Sequence, residues 1–592
     1  MAYDDVILRM GEFGRYQRRI YLLLCIPAIS CAFHKMAGVF LGAKMNTRCV
    51  LPFENADNAT YETPFMNTSY PWDYETKAWS QCTRLAVDLA LNLTRLNASE
   101  SVGGGEDRGG GIMSDPARKT MLENTVPCDR YVFDTSVYQS TTTSEWNLVC
   151  DKAWLRATGD SLFMVGVMLG SMIFGGLSDK FGRRPIFFLS LVIQLVGGIL
   201  VAVAPEYISY VIFRLIVGST TSGVFLVAYV IALEMVGPKK RLVAGVGCQL
   251  FFTTGYIITA GFAYLITDWR TLQIAITVPS IAFLVYWWFI PESARWLLTK
   301  GKVEEAKELL HHAAKENGVN LPRETLDSLL NDTTGGASAP DLNKPSLLDL
   351  FRYPNLRRKT ILLFFNWLVN SGTYYGLSWN AASLGGNDYV NFVISGIVEV
   401  PAYTFLIFTL DRWGRKMILC GCMVVSGSAL LATLFVPPSS TWVFFGLAMI
   451  GKLAITSSYG AIYVFTAEQF PTVVRNVGLG ASSTFARIGG VIAPYINHLS
   501  EIWTPFPLVI FGTCALVGGS LSLLLPETLN KKLPESIQDG ELFGKKETSI
   551  EKEKRKRRRQ QQQLDVEVLT EIESIKPLKA QENGVHDRKQ NG

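Results

Sequence analysis

Three charged residues lie inside long apolar segments in the second half of the chain: Glu399, Lys452 and Arg487. A charge at mid-membrane costs roughly 2.5–3.5 kcal/mol on insertion scales, so such residues face a bundle interior and are usually functional. A carboxylate binds cationic groups, whereas Lys and Arg bind carboxylates. The three residues therefore predict a site for small organic ions. The alternative is an internal ion pair of Glu399 with Lys452 or Arg487, which would leave the site nearly neutral.

These residues are positioned by apolar segments of about 20 residues, which cross a hydrocarbon core of about 30 Å as helices. Of the 592 residues, 48% are hydrophobic and only 18% are charged. We predict an all-α membrane protein with twelve transmembrane helices. They are expected at about 20–41, 157–177, 186–204, 209–232, 243–266, 271–291, 359–379, 388–410, 417–436, 441–467, 475–499 and 505–525.

Three charged motifs occur twice in the same order, at offsets of 232, 234 and 235 positions. They are Asp179–Arg184 and Asp411–Lys416, then Glu234 with Arg241 and Glu468 with Arg475, then Pro291–Ser293 and Pro526–Thr528. Duplicated halves with charged loops at one face are typical of secondary transporters. The predicted organisation is an N-terminal segment at 1–19, six-helix halves at 20–291 and 359–525, a linker at 292–358 and a tail at 526–592.

Basic residues are concentrated on one side of the predicted membrane. Clusters of Lys and Arg precede the first and seventh spans and follow the second, fourth and eighth, whereas loops 380–387, 437–440 and 500–504 carry none. The positive-inside rule therefore places both termini in the cytoplasm. No cleavable signal peptide is expected before the first span, which would itself act as the targeting anchor.

The same topology places residues 42–156 outside the cell. This segment holds four glycosylation sequons and four cysteines, which suit the secretory pathway. The sequons begin at Asn58, Asn67, Asn92 and Asn97, and the cysteines are Cys49, Cys82, Cys128 and Cys150. Two disulfides are expected, and their connectivity stays open among three possibilities. The prediction is a glycosylated, multi-pass protein of the plasma membrane.

The linker and the tail lie on the cytoplasmic side. Val303, Ala306, Leu309 and Leu310 recur at helical spacing, which predicts an amphipathic helix at the membrane surface. The polar tail, expected to be disordered, carries the basic run Lys552–Arg559. In a multi-span protein we interpret this run as a contact for anionic lipid or a trafficking partner, and we predict no nucleic-acid partner.

These motifs resemble those of the major facilitator superfamily. The large glycosylatable loop and Pro291–Trp296 narrow the resemblance to the organic cation, carnitine and anion transporter family, over about residues 4–535. Asp4–Gly14 and Asn476–Pro494 are most similar to insect organic cation transporters. The resemblance implies the major facilitator fold and alternating access, with small organic ions as substrates. It leaves a coupling ion and the oligomeric state open.

The resemblance also implies cavity positions for four aromatic residues and one glutamine. They are Tyr374, Tyr375, Phe252, Phe225 and Gln249. Aromatic faces attract quaternary ammonium groups by about 0.5–2 kcal/mol each. At the position of Arg487, strict cation carriers have an acid, whereas anion and carnitine carriers have Arg, as here. Glu399 is similar to the acid of cation carriers, so the pair suits a zwitterion such as carnitine.

The duplicated motifs predict a gate at the cytoplasmic helix ends. Acids and bases that pair in one conformation and separate in another would bias a two-state equilibrium by a few kcal/mol. The candidate gating residues are Asp179, Arg183, Arg184, Glu234, Arg241, Asp411, Arg415, Glu468 and Arg475. The alternative is that these residues serve only topology and loop folding.

Polar residues of the first half are less specific. Arg214 is expected to serve structure or gating, and Asp160 to lie near the outer mouth. His34 and Lys35 lie in the first span, where the Lys35 side chain either snorkels to the interface or lines the cavity.

Enzyme motifs do not occur. The sequence has no Gly-x-x-x-x-Gly-Lys-Ser/Thr loop, no His-Glu-x-x-His and no Gly-x-Ser-x-Gly, and its five histidines are scattered. No metal or cofactor is therefore expected. The predicted function is polyspecific secondary transport of small organic cations and zwitterions. The alternatives are an organic anion exchanger and a non-transporting nutrient receptor on the same scaffold.

Overall fold

The computed structural model describes residues 2–55, 58–73, 78–86, 125–319, 347–437, 439–531 and 533–544. Its α-helices run Ala2–Arg9, Arg15–Met36, Gly38–Leu41, Met66–Ser69, Thr142–Glu145, Trp154–Phe181, Arg183–Ala202, Tyr207–Glu234, Arg241–Leu265, Trp269–Thr277, Ser280–Leu284, Ala294–Thr299, Val303–Glu316, Asp349–Arg352, Pro354–Asn380, Asp388–Ile397, Glu399–Trp413, Arg415–Ala432, Thr441–Gln469, Arg475–His498, Phe506–Ser522 and Ile537–Leu542. The predominance of helix is what a lipid environment requires, because helices satisfy their own backbone hydrogen bonds.

Nine helical segments in the described residues are long and apolar enough to cross a membrane. They are Arg15–Leu41, Cys150–Phe181, Arg183–Ala202, Tyr207–Glu234, Val243–Leu265, Trp269–Trp288, Asp388–Trp413, Arg415–Phe435 and Thr441–Gln469. Pro354–Asn380, Arg475–His498 and Phe506–Ser522 complete the twelve expected helices. We number the twelve as spans in chain order. The seventh and eleventh spans have 27 and 24 residues and are long enough to cross a membrane, but their polar residues make them less apolar than the nine.

The packing of the spans repeats between the two halves. In the first half the fourth span packs on the first, second and third, the first on the fifth, and the third on the sixth. The second half makes the same pairs six spans later, including the seventh with the eleventh. Between the halves, the second span packs on the eleventh and the fifth on the eighth, which is also a matched pair. The sequence duplication is therefore a structural duplication.

Two glycines at equivalent positions allow a close approach of paired spans. A Cβ atom on Gly255 of the fifth span would lie 2.5 Å from the Ile29 carbonyl oxygen of the first. On Gly489 of the eleventh span it would lie 2.2 Å from the Leu368 carbonyl oxygen of the seventh. The two glycines are 234 positions apart, the offset that separates Glu234 from its copy. Small residues at such contacts let membrane helices pack backbone to backbone.

The helix Val303–Glu316 forms where the linker pattern predicted one, and part of its apolar face packs on the N-terminal segment. Leu310 and Ala313 are buried in a cluster with Tyr3 and Tyr16 of that segment. Protein thus covers part of the amphipathic face, and the position of this helix at the membrane surface stays a prediction. The tail beyond residue 544 lies outside the described residues.

The expected extracellular segment contains short strands that the sequence did not predict. They form three antiparallel pairs: Thr47–Cys49 with Tyr131–Phe133, Trp72–Asp73 with Ala78–Trp79, and Thr83–Leu85 with Thr125–Pro127. The disulfides are Cys49–Cys128 and Cys82–Cys150, one of the three connectivities left open. Asn58 is exposed and Asn67 lies on a short helix, whereas Asn92 and Asn97 lie outside the described residues. We call this end of the bundle the disulfide end, and the end that carries the duplicated motifs the motif end.

Candidate functional site

Glu399 forms a fully buried ion pair with Lys452, one of the two alternatives left open by the sequence. Its Oε1 atom lies 3.1 Å from Lys452 Nζ, and both side chains have zero exposure. The Tyr374 hydroxyl donates to Oε1 at 2.7 Å, and the Thr253 hydroxyl donates to Oε2 at 2.8 Å. Thr253 belongs to the first half, so this carboxylate also joins the two halves. Each of its oxygens is already engaged.

Aromatic rings surround the Lys452 ammonium. Its Nζ lies 3.8 Å from the centre of the Tyr374 ring and 5.6 Å from that of Tyr256, and it donates to the Ser378 hydroxyl. Cation–π contacts of this kind gain strength where water is excluded. Lys452 is therefore held by a carboxylate, a hydroxyl and two ring faces, which favours a structural role for its ammonium.

Arg487 lies in a different setting on the eleventh span. Its guanidinium is half-buried among the phenol groups of Tyr459, Tyr463 and Tyr375, and its Nε atom has no hydrogen-bond partner. Glu399 pairs with Lys452, and within the described part of the chain no carboxylate forms an ion pair with Arg487. A buried donor without a partner costs about 1–3 kcal/mol, which a bound acceptor could recover.

A band of aromatic residues continues from Tyr375 to the first half. Lys35 Nζ donates to the Tyr375 hydroxyl at 2.5 Å and lies 5.8 Å from the centre of the Phe252 ring. Phe252 meets Phe225 edge to face, with ring centres 6.0 Å apart. Gln249 is half-buried one helical turn before Phe252.

The structure thus brings most candidate substrate residues into one band between the halves. Glu399, Lys452 and Tyr374 form one cluster, and Tyr375 links it to Arg487, since the Tyr374 and Tyr375 ring centres are 5.0 Å apart. Lys35 is the residue whose place the sequence could not decide, because periodicity alone does not give the rotation of the first span.

The first copy of the motifs forms a compact ion-pair cluster at the motif end. Arg183 pairs with Asp179 and, at 3.5 Å, with Glu234. The Ser293 hydroxyl donates to Glu234 Oε2 at 2.5 Å. In the second copy Arg415 lies 2.8 Å from Asp411 and 3.2 Å from Glu468, and Thr528 takes the place of Ser293. Every one of these ion pairs joins residues of the same half.

A second pair of carboxylates was missed as candidates, although the repeat contained them. Glu292 accepts hydrogen bonds from the backbone N–H groups of Arg183 at 2.9 Å and of Arg184 at 3.3 Å. Glu527 does the same for Arg415 and Lys416, both at 3.1 Å. Glu292 therefore caps the first turn of the third span and Glu527 that of the ninth, where the helix dipole favours negative charge. The signal was the repeated Pro-Glu-Ser/Thr motif itself.

Three candidate gating residues lie apart from those clusters. Arg241 pairs at 2.6 Å with Asp4 of the N-terminal helix. Arg184 donates to the Trp287 carbonyl at 2.6 Å and covers that ring. Arg475 donates to the Thr472 hydroxyl at 3.3 Å.

The disulfide end carries polar contacts that cross between the halves. Glu501 of the second half lies 3.2 Å from Arg156 and 3.9 Å from Lys44, both of the first half. The Tyr138 hydroxyl donates to Asp388 at 2.9 Å. Burial and the Asp388 carboxylate raise the pKa of Tyr138, so this hydroxyl keeps its proton at neutral pH. The halves are therefore held together at the disulfide end.

We expect Glu501→Gln to loosen the disulfide end, because it removes the carboxylate shared by two cations of the other half. Partly exposed ion pairs contribute about 0.2–1 kcal/mol each, so the loss of both should raise opening about 2- to 30-fold. The measurement is the labelling rate of a Ser161→Cys reporter by an impermeant maleimide, since Ser161 donates to the Val491 carbonyl across this closure at 2.8 Å. Glu206→Gln, an exposed site at the same end, is the control. Equal labelling with and without the Glu501 change would show that the pair does not hold the end closed.

A separate buried cluster occupies the first half. Arg214 lies 3.2 Å from Asp160, donates to the His34 carbonyl at 3.1 Å and covers the Phe163 ring. Gln273 lies 3.5 Å from His34 Nδ1. Arg214 is thus neutralised within its own half, as expected for a structural or gating residue.

Comparison of the sequence with known proteins shows the family of this chain. Residues 125–539 match the model of the family "Sugar (and other) transporter". The chain is 57% identical to the organic cation transporter protein of Drosophila melanogaster, over 92% of this chain and 96% of that protein. It is 35% identical to solute carrier family 22 member 2 of Rattus norvegicus (91% and 95%). It is 33% identical to the beta-alanine transporter of Drosophila melanogaster (91% and 89%).

Solved structures resemble the fold at low sequence identity. The proton:xylose symporter XylE bound to 6-bromo-6-deoxy-D-glucose superposes with a TM-score of 0.53 at 16% identity, covering 88% of this chain and 98% of that one. A partially occluded, inward open form of XylE gives a TM-score of 0.54 at 15% identity, covering 88% and 100%. These likenesses show the fold alone.

Proposed function

Since this chain belongs to the organic cation, carnitine and anion transporter family, we propose that it moves small organic cations and zwitterions across the plasma membrane. The family is part of the major facilitator superfamily, whose two-half fold this chain has. The names of its relatives, organic cation transporter and beta-alanine transporter, support organic ions that carry an amine. Beta-alanine is itself a zwitterion.

The observation that carries the proposal is that Glu399 is paired with Lys452, whereas Arg487 is left to bind a substrate carboxylate. The Glu399 carboxylate is neutralised by Lys452 and by two hydroxyl donors. Arg487 lies among the tyrosines of the same aromatic band, and none of the carboxylates that the structure describes pairs with it. An ammonium group would then bind ring faces such as Phe252 and Phe225, and a carboxylate would bind Arg487. A zwitterion uses both.

Alternating access is supported by where the two halves touch. Contacts at the disulfide end join the halves, whereas the ion pairs at the motif end each stay within one half. By the positive-inside rule we expect the motif end to lie in the cytoplasm. That orientation would make this a state closed to the outside, and the motif clusters would rearrange when the inner ends of the halves meet.

A second candidate, an organic anion exchanger, is favoured by the same locked carboxylate. If Glu399 never leaves Lys452, the remaining charge near the aromatic band is positive. The site would then select anions, and the rings would serve only to exclude water.

The test is uptake into cells or proteoliposomes of three size-matched probes: choline, carnitine and a simple aliphatic dicarboxylate. We expect carnitine to move fastest and choline to move measurably. A preference for the dicarboxylate would establish the anion exchanger. Saturable binding of the probes without net uptake of any of them would instead identify a receptor on a transporter scaffold.

A further inference from the structure

We infer that Lys35 is the second cation of the carboxylate site, so that a substrate carboxylate is held between Lys35 of the first half and Arg487 of the second. This inference rests on the proposed function and names the group that selects carboxylate-bearing substrates. It assigns a role to a residue whose place the sequence left undecided.

The first argument concerns the groups that contact the Lys35 ammonium. Its ammonium donates to the Tyr375 hydroxyl and lies 4.5 Å from the Tyr375 ring centre and 5.8 Å from that of Phe252. These partners are neutral. By contrast, the buried Lys452 ammonium pairs with Glu399. Within the described residues no carboxylate forms an ion pair with the half-buried Lys35, so its ammonium lacks a counter-charge until an anion binds.

The second argument is that Lys35 and Arg487 share a neighbour. Tyr375 contacts the Lys35 ammonium directly, and its ring packs on the eleventh span, where a Cβ on Gly490, one turn after Arg487, would lie 3.4 Å from it. Lys35 and the span that carries Arg487 therefore meet at one tyrosine, and like charges that share such a neighbour repel each other. A carboxylate placed between them would turn that repulsion into two charge-assisted interactions.

The third argument is that the two cations come from opposite halves. Lys35 lies on the first span and Arg487 on the eleventh, and Trp379 of the seventh span donates to the Lys35 carbonyl at 3.3 Å. A ligand that engages both cations therefore bridges the surfaces that move apart in alternating access. Substrate binding would stabilise a state in which these surfaces are close.

Lys35 also occupies the ring faces that a substrate ammonium would use. When the carboxylate draws the Lys35 ammonium toward itself, the Phe252 ring becomes available to the ammonium of the same substrate. A simple cation has no carboxylate and must displace Lys35 unaided. Removal of Lys35 should therefore act in opposite directions on zwitterions and on simple cations.

The experiment measures KM for carnitine and for choline in cells that express the full chain, with surface expression quantified. Lys35→Gln is expected to raise the carnitine KM about 10-fold, while the choline KM stays constant or falls. Lys35→Arg keeps the charge and should keep the carnitine KM within about 3-fold of the wild type. Lys302→Gln, at an exposed lysine paired with Glu305, is the control and should change neither KM.

Equal changes of both KM values, or no change in the carnitine KM, would overturn the role of Lys35. If Lys35→Gln does not reach the surface, Lys35→Met is measured in its place with the same expectation. Failure of the proposed function looks different, because the wild-type chain would then transport neither probe.

Discussion

Lys452→Met should remove most of the folded, transport-competent protein, whereas the double variant Glu399→Gln, Lys452→Met should recover much of it. The single change leaves the Glu399 carboxylate buried and without its counter-charge. Loss of one member of a buried pair typically costs about 3–5 kcal/mol, while replacing both members is often nearly neutral. The Glu399 carboxylate has zero exposure, so water cannot compensate for the lost partner.

The measurement is the thermal unfolding midpoint of the detergent-solubilised protein, together with its surface level in cells. Lys302→Met is the matched control, because it breaks an exposed Lys–Glu pair and should cost less than about 1 kcal/mol. A double variant as unstable as Lys452→Met would show that the shape of the site matters and that the charge balance does not. Transport by the double variant would show that neither charge is needed for substrate binding.

The spans and their duplication could be predicted because both leave one-dimensional signals. Apolar segments of about 20 residues predicted all twelve spans, and the repeated motifs fit a six-plus-six arrangement. Nine of the described helices are long and apolar enough to cross a membrane, and the more polar seventh and eleventh spans are also helices. Those two spans are polar because they pack on each other and carry Asn370, Tyr374 and Arg487 into the interior. The polar residues of these two spans therefore belong to the candidate site.

The partners within the site could not be predicted in the same way. Glu399 lies 53 positions before Lys452 and 88 before Arg487, and the choice between them depends on how the eighth, tenth and eleventh spans are rotated. A hydrophobic period fixes a buried face only when the opposite face is polar, and in a membrane bundle both faces are apolar. For the same reason the sequence left Lys35 between snorkelling and cavity lining.

Arg487→Asp is expected to reverse the substrate preference. It replaces the charge available to a carboxylate with one that repels it, while the neighbouring rings stay available to ammonium groups. One charge-assisted hydrogen bond contributes about 1.5–3 kcal/mol, so the ratio of kcat/KM for carnitine over choline should fall about 10- to 150-fold. Arg487→Lys keeps the charge but loses the bidentate hydrogen-bonding geometry of the guanidinium, so the ratio should fall by an intermediate amount.

The measurement compares both probes in variants with matched surface expression, because a ratio within one variant cancels differences in protein amount. The Arg487→Asp change acts on kcat/KM for carnitine, while choline uptake reports that the rest of the transport cycle is intact. An unchanged ratio in a correctly trafficked Arg487→Asp protein would remove Arg487 from the substrate site. If only Lys35→Gln lowers the ratio, the carboxylate binds in the first half alone. If both variants lower it, each half supplies one cation, and the substrate itself links the surfaces that move during transport.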